Sequence, residues 1–223
     1  MSLDTPWQIE QTWGSNQAVL KGVVEGLHPH SALECGCGYF STPILRGGVP
    51  LLMTIEHDRA WVKKIQKDFP PSDSHWYYSL EFPGLVNGTA HADVASDIKQ
   101  HLDRFYREAF LDYAPYGFVL IDTFRCARVS AALALAPRTG LMMLHDVRPS
   151  SRDFYRYHEL DETFKDWHRY EHRPQGMINK AHIIPWTALY SREPLDLDAL
   201  QGPIIKESER LWDQSVGLEE IHG

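Results

Sequence analysis

Residues 31–42 read SALECGCGYFST, with an acid at Glu34, glycines at Gly36 and Gly38, cysteines on either side of Gly36, and the hydroxyls Ser41 and Thr42. Glycines at that spacing allow a tight turn and a close approach of ligand to backbone. A helix starting just after them would offer free N–H groups. Glu56 ends the next apolar run, twenty residues past Gly36. An acid at that place can accept both hydroxyls of a ribose, so loop and acid together read as a nucleoside site, by analogy with the dinucleotide fingerprint. A second group closes two other apolar runs: Asp122 in YGFVLIDTF, and His145 with Asp146 in LMMLHD. Two carboxylates on adjacent strands, about 5 Å apart, could hold a hard cation such as Mg²⁺. The bland alternative is that Asp122 caps the next helix and Asp146 pairs with Arg148 or Arg125. An imidazole with an ordinary pKa near 6.5 suits removal of a proton from a hydroxyl, which makes His145 the candidate base.

Other chemistry-bearing residues are weaker. Cys35, Cys37, Cys126 and His145 could approach one sheet edge as a zinc set, but C-x-C is tighter than the usual ligand spacing and is not a C-x-x-C redox pair. Small packing residues are the simpler reading of the cysteines. Arg125, Arg128, Arg148 and Arg152 could gather above the strand ends and favour a carboxylate or phosphate on the substrate, with Arg125 and Arg148 the candidate contacts. Solvated arginines paired with the acidic surplus are the alternative. Trp7, Trp13, the aromatics of 76–78 and Tyr155 and Tyr157 read as core or lid packing.

The elements that would position these groups alternate. Strands are expected at 31–34, at 51–55, in HWYYSLEF, in YGFVLIDTF and in LMMLHD. Helices are expected at 42–46 (closed by Gly47 and Gly48), 59–69, 94–110 and 128–136, with loop at 83–93. Residues 152–168 read as a further helix, and WHRYEHRP and AHIIPWTALY as two closing strands. Strand–helix alternation of this kind implies a doubly wound, mostly parallel α/β sheet with helices on both faces. One domain is expected over residues 1–223, with an N-terminal helical segment (1–27), a core (28–200) and a tail (201–223) that reads as a helix or a partner arm, the latter compatible with a homodimer.

LECGCGYFST, TIEHDRAWVKKI and YGFVLIDTFRCARVSAALALAPRTGLMMLHDV resemble, in order, the first motif, the second motif and the fourth and fifth strands of class I S-adenosylmethionine-dependent methyltransferases. The likeness covers residues 17–150 and is greatest to small O-methyltransferase-like proteins with an E-H-D…W second motif. It implies a seven-stranded Rossmann-like sheet and S-adenosylmethionine as cofactor. Its implied cofactor contacts are Glu34, Gly36, Gly38, Ser41, Thr42, Glu56 and His57, with Glu34 near the methionine amino group and His57 at the adenosine edge. Asp93 or Asp97 could meet the adenine. It also implies a chemical end formed by His145, Asp122 and Asp146, the two acids being where a metal-dependent subgroup holds its ion. Pro137, Arg138, Thr139 and Gly140 replace the usual proline-glycine-glycine turn. Methyl transfer to the oxygen of a small molecule is the expected activity. A nicotinamide oxidoreductase would want a third glycine where Ser41 stands, and a binding protein without turnover is the rival of another class.

The totals agree with this. Lys and Arg number 22 against 30 Asp and Glu, a net charge of −8, which argues against a nucleic-acid or anionic-membrane partner. No apolar run approaches the roughly 18 residues of a spanning helix. With no signal-peptide pattern and three cysteines, a reducing, cytoplasmic setting is expected.

Overall fold

In the computed structural model the described residues are 16–81, 94–173, 177–178, 182–183 and 185–222. Five strands form the parallel part of the sheet, of which β2, β4 and β5 are rich in Val, Ile, Leu and Met: β1 (Ala32–Cys35), β2 (Leu52–Glu56), β3 (His75–Ser79), β4 (Phe118–Ile121) and β5 (Leu141–His145). Every residue of β1, β4 and β5 is buried, as expected of strands covered on both faces. Then come β6 (His168–His172), a small hairpin of β7 (Met177–Ile178) and β8 (His182–Ile183), and β9 (Thr187–Ser191). The seven-stranded order is β3-β2-β1-β4-β5-β9-β6, with β9 antiparallel to both neighbours. The chain winds outward one way from β1 and the other way from β4. Cys35 pairs with Ile121 at this switch point, and an open α/β sheet binds its ligands in the crevice outside the carboxyl ends of the strands there, here β1 and β4.

The helices are α1 (Gln17–Gly22), which continues into a π turn at Val23–Leu27, α2 (Thr42–Gly48), α3 (Arg59–Asp68), α4 (Ser96–Glu108), α5 (Arg128–Leu135), α6 (Pro149–Tyr155), α7 (Asp161–Phe164) and α8 (Leu197–His222). Alternate residues of each strand feed two cores. Leu33, Ile55, Val119, Ile121 and Leu144 meet Leu102 and Tyr106 of α4 and the apolar face of α5. Leu52, Phe118, Leu120, Met143 and Leu189 meet Val19 and Leu20 of α1, Leu45 of α2, and Leu200 and Ile204 of α8. Helix α3 starts at Asp58, whose carboxylate accepts the amide N–H groups of Ala60 and Trp61 at 2.8 and 3.0 Å.

Two helix expectations change. The single helix at 152–168 is broken: α6 ends where Arg156 takes a left-handed φ of 58°, and a 3₁₀ turn at Tyr157–Leu160 leads into α7. The break turns Tyr157 and Leu160 inward, where both are buried. Helix α2 runs through Gly47 and Gly48, because Gly48 lies so close to Val24 that a Cβ there would sit 1.7 Å from its Cγ1. Residues 204–221 belong to α8, the helical one of the two readings of the tail, with Ile204, Ser208 and Leu211 buried. The loop expected at 83–93, with Asp93, lies outside the described residues, as do Trp7 and Trp13.

The π turn that continues α1 packs against α8 with almost no space between their backbones. A Cβ on Gly26 would lie 2.4 Å from the carbonyl oxygen of Ala199. Gly26→Ala should therefore destabilise the fold by about 1–3 kcal/mol, the cost of overpacking a rigid contact. An unchanged urea midpoint for that variant would contradict this packing.

Candidate active site

The loop after β1 is shaped by its own bonds. Gly36 has φ +95°, and a Cβ on it would lie 2.3 Å from the carbonyl oxygen of Asp122, so backbone sterics alone demand glycine. The space over Gly38 is different: its Cβ would meet only Ser41 Oγ, at 3.8 Å. Beneath the loop Glu34 is fully enclosed. Its carboxylate accepts Ser41 Oγ–H at 2.6 Å, Thr42 Oγ1–H at 3.0 Å and Thr54 Oγ1–H at 2.9 Å. Burial outweighs those three bonds and pushes its pKa up to about 7. Glu56 grips the loop from the other side. One of its oxygens accepts Cys37 N–H at 3.0 Å, and the other accepts the N–H groups of His57 and Asp58 at 2.6 and 3.0 Å. Burial raises its pKa too. Trp61 Nε1–H donates to the Cys37 carbonyl at 2.7 Å, so the same residue is held at both its N–H and its C=O.

Across the crevice one buried guanidinium organises the ends of β4 and β5. Arg128, 6% exposed, donates through Nη2 to Asp122 at 2.9 Å and sits 3.1 Å from Asp146 through Nη1. It also donates to the carbonyls of Thr123 at 2.7 Å and His145 at 2.9 Å, and stacks over the Tyr155 ring at 4.2 Å. His145 Nδ1–H donates to Asp122 at 3.1 Å, and Asn16 Nδ2–H donates to the other Asp122 oxygen at 3.0 Å. Tyr155 O–H donates to Asp146 at 3.1 Å, where Asp146 holds a left-handed φ of 61°. Burial would lower the His145 pKa, but Asp122 and Asp146 outweigh it and hold it above its ordinary value. Burial would raise Asp146, but His145 and Arg128 outweigh it and hold it low. Two carboxylates thus face the Arg128 guanidinium and an imidazole whose charged form they favour. For His145 to accept a proton it must first be neutral, which this pairing delays to higher pH.

The two expected groups come to the same carboxyl edge: the glycine loop and Glu56 on one side, Asp122, His145 and Asp146 on the other. Glu34 braces the loop from below, with 0% exposure. His57 is held inside the fold: its Nδ1 and Nε2 lie 2.8 Å from Thr123 Oγ1 and Tyr106 Oη, and burial lowers its pKa to about 3. Arg128, rather than Arg125, lies between the two acids, and Arg148 adds a weaker attraction to Asp146. Arg125 donates to the Phe154 carbonyl at 2.9 Å and lies over that ring. Arg148 Nε is buried with no hydrogen-bond partner among the described residues. The cysteines are free and buried and do not gather with His145. Asp97 lies in the first turn of α4. Among the described residues Asp122, His145 and Asp146 are the one set whose ligand atoms lie within 4.8 Å of one another. A Mg²⁺ ion wants six oxygen donors, and this set offers two carboxylates already bonded to a guanidinium, so it does not fit that ion. Sequence reasoning missed the central place of Arg128 and the support from Asn16 and Tyr157. Only an arginine just past a buried strand, followed by an alanine-rich helix, hinted at it.

No protein-family model matches the chain, and no curated protein matches it in sequence. Solved structures do match its fold. A methyltransferase-like protein from Silicibacter pomeroyi is 21% identical, over 88% of this chain and 96% of its own, with a TM-score of 0.50. SMU.1697c from Streptococcus mutans, in complex with SAH, is 8% identical over 82% and 99%, with a TM-score of 0.52. An rRNA methylase from Streptococcus thermophilus is 10% identical over 84% and 99%, with a TM-score of 0.50. The fold is therefore the Rossmann-like fold of class I S-adenosylmethionine-dependent methyltransferases. No helix among the described residues is long and apolar enough to cross a membrane.

Two outcomes follow from the geometry. Arg128→Met leaves two partly buried carboxylates facing each other and should cost about 2–4 kcal/mol, somewhat less than breaking a fully buried pair. Urea denaturation reads this, and a loss below about 1 kcal/mol would mean that the acids do not depend on Arg128. His57 stays neutral in the fold but titrates near 6.5 when unfolded. Between those values the unfolded chain binds the extra proton, so its contribution is present above about pH 6.5 and is lost as pH falls toward 3. A stability–pH curve for His57→Gln should be flatter over that window than the wild-type curve; parallel curves would contradict the buried neutral ring.

Proposed function

We propose that the chain is an S-adenosylmethionine-dependent methyltransferase acting on the oxygen of a small-molecule acceptor. The observation that carries this reading is the crevice at the switch point. Its one wall is a glycine face open over Gly38 and flanked by Glu56, and its other is the Asp122–Arg128–Asp146–His145 cluster. The cofactor supplies an electrophilic methyl on a sulfonium. The open face at Gly38 lets the nucleoside lie against backbone. Glu56 has about four lone-pair positions, three used by backbone N–H groups and one by the Cys37 thiol, so a ribose hydroxyl takes the place of that weak thiol donor. Arg128 offsets one of the two carboxylates, so once His145 is neutral the opposite wall carries net negative charge, which suits a cationic centre. His145, once neutral, takes the proton of the acceptor hydroxyl, and the cluster fixes its ring. Arg148, with a buried and unsatisfied Nε, is the residue to meet a carboxylate or phosphate on the acceptor. A small molecule, rather than nucleic acid, agrees with the net charge of −8.

Calorimetry with S-adenosylmethionine and S-adenosylhomocysteine tests the binding half. Both should bind. Glu56→Ala should weaken them by about 1.5–3 kcal/mol. Gly38→Val should abolish binding with a native circular dichroism spectrum. Binding of a nicotinamide dinucleotide instead, or unchanged affinity in both variants, would overturn the assignment. The chemical half rests on His145: with an acceptor found by screening, His145→Ala should lower the rate by roughly 10²–10⁴ with little change in cofactor affinity. Full activity in that variant would remove it as the base.

A further inference from the structure

Glu34 stands where a cofactor contact is expected, yet no part of it is exposed. Its partners come from three elements. Ser41 lies in the loop, Thr42 opens α2, and Thr54 lies on β2. Each hydroxyl has one proton, and Glu34 receives all three. Two of these hydroxyls accept a further bond in turn. Thr42 Oγ1 accepts Gly38 N–H at 3.1 Å. Thr54 Oγ1 lies 3.0 Å from His75 Nε2, and because its own proton goes to Glu34 it must accept the imidazole N–H. The carboxylate is thus the sink of two directed chains, one ending on the amide of Gly38 and one on His75 of β3.

We propose that Glu34 is a positioning residue of the cofactor loop: its buried carboxylate touches no ligand and sets the Gly38 amide through Thr42 while tying the loop to β2 and β3 through Thr54. A hydroxyl trio that all donates requires an ionised acceptor. When Glu34 takes a proton it loses the charge that draws the Thr42 hydroxyl, the Thr42 bond weakens or reverses, and the Gly38 amide bonded to the same oxygen feels the change. Loop geometry is therefore coupled to one buried proton, which titrates near neutrality because burial lifts Glu34 from 4.5 to about 7. The groups around it are Glu56 on β2, Cys35 and Cys37 on β1 and the loop, and His75 and Tyr77 on β3, with Arg46 of α2 behind these two. Burial lowers His75 to about 4 and raises Tyr77 and both thiols, so none of these four changes charge near pH 7. Glu56 is bonded to the amide of Cys37 rather than to that of Gly38, so the two acids report on different amides. By linkage, a ligand carrying a cationic sulfonium and ammonium favours the ionised carboxylate, and its affinity rises as pH climbs through this range.

The direct test needs no ligand. The ¹⁵N–¹H resonance of Gly38 is followed from pH 5 to 9 in the full chain. It should shift with a midpoint near 7, and the shift should vanish in Glu34→Gln, which keeps the shape but cannot titrate. Thr42→Val, which leaves the acid and removes the link, should also abolish the Gly38 shift, and it serves if Glu34→Gln does not fold. A Gly38 amide that does not titrate in the wild type, or that titrates equally in Thr42→Val, overturns the proposal. A second arm rests on the cofactor reading: S-adenosylmethionine should bind about tenfold more tightly at pH 8 than at pH 6, and the ratio should fall toward one in Glu34→Gln. A titrating Gly38 amide with no S-adenosylmethionine binding at any pH leaves the positioning role standing and overturns the cofactor reading instead. Binding with equal pH dependence in wild type and Glu34→Gln overturns the positioning role.

Discussion

The guanidinium of Arg128 is the contact on which the carboxyl edge depends. Asp122 and Asp146 follow the ends of adjacent strands and point into the same space. Both are largely removed from water, with His145 beside them. Two carboxylates so placed would repel each other and pull β4 and β5 apart at their ends, or take up protons. One fixed cation bonded to both removes that conflict, and its remaining donors hold the carbonyls of Thr123 and His145. The guanidinium does with five rigid donors what a metal ion would do with coordination. Tyr155 and Tyr157 close over it from the broken helix after β5, which explains why the chain there is not one regular helix.

The two sides of the crevice follow opposite physical designs. On the β4–β5 side, charges are balanced against charges. On the β1–β2 side, an acid is held by neutral donors: hydroxyls for Glu34, backbone amides for Glu56. Neutral donors leave a buried carboxylate less stabilised than a guanidinium does, and both acids accordingly titrate above their ordinary values. The rigid side suits chemistry that needs a fixed geometry. The softer side suits the proposed role of the loop, to accept and release a nucleoside.

Much of this was legible in the sequence. Strands buried on both faces read as continuous apolar runs, so LIDTF and LMMLHD announced themselves, and their order implied a switch point where the glycine loop and the acids would meet. The glycine loop was legible because only glycine tolerates the φ of Gly36, and Glu56 because its position along the chain is tied to that loop. What was not legible depended on side-chain direction. Nothing in the chain says that Arg128, rather than Arg125 or Arg148, turns inward. Nor does it say that His57 is spent on Thr123 and Tyr106, or that Glu34 looks down into hydroxyls rather than up into the crevice. Metal chemistry was read from two acids at adjacent strand ends, and the cation between them comes from a helix six residues past the first acid, a separation at which spacing alone does not fix a contact. The break after Tyr155 was hidden because its residues have ordinary helical patterning, and burial of Tyr157 against Arg128 overrides it.

The claim beneath all of this is that a methyl donor lies in the crevice between Glu56 and Asp122, with its reactive end toward His145. A crystal structure with S-adenosylhomocysteine tests it most directly. The ribose should lie within hydrogen-bond distance of the Glu56 carboxylate, the nucleoside against the open face of Gly38, and the sulfur on the side of the crevice formed by β4 and β5. Density for the ligand elsewhere on the molecule, or an intact crevice left empty at saturating ligand, would contradict the account.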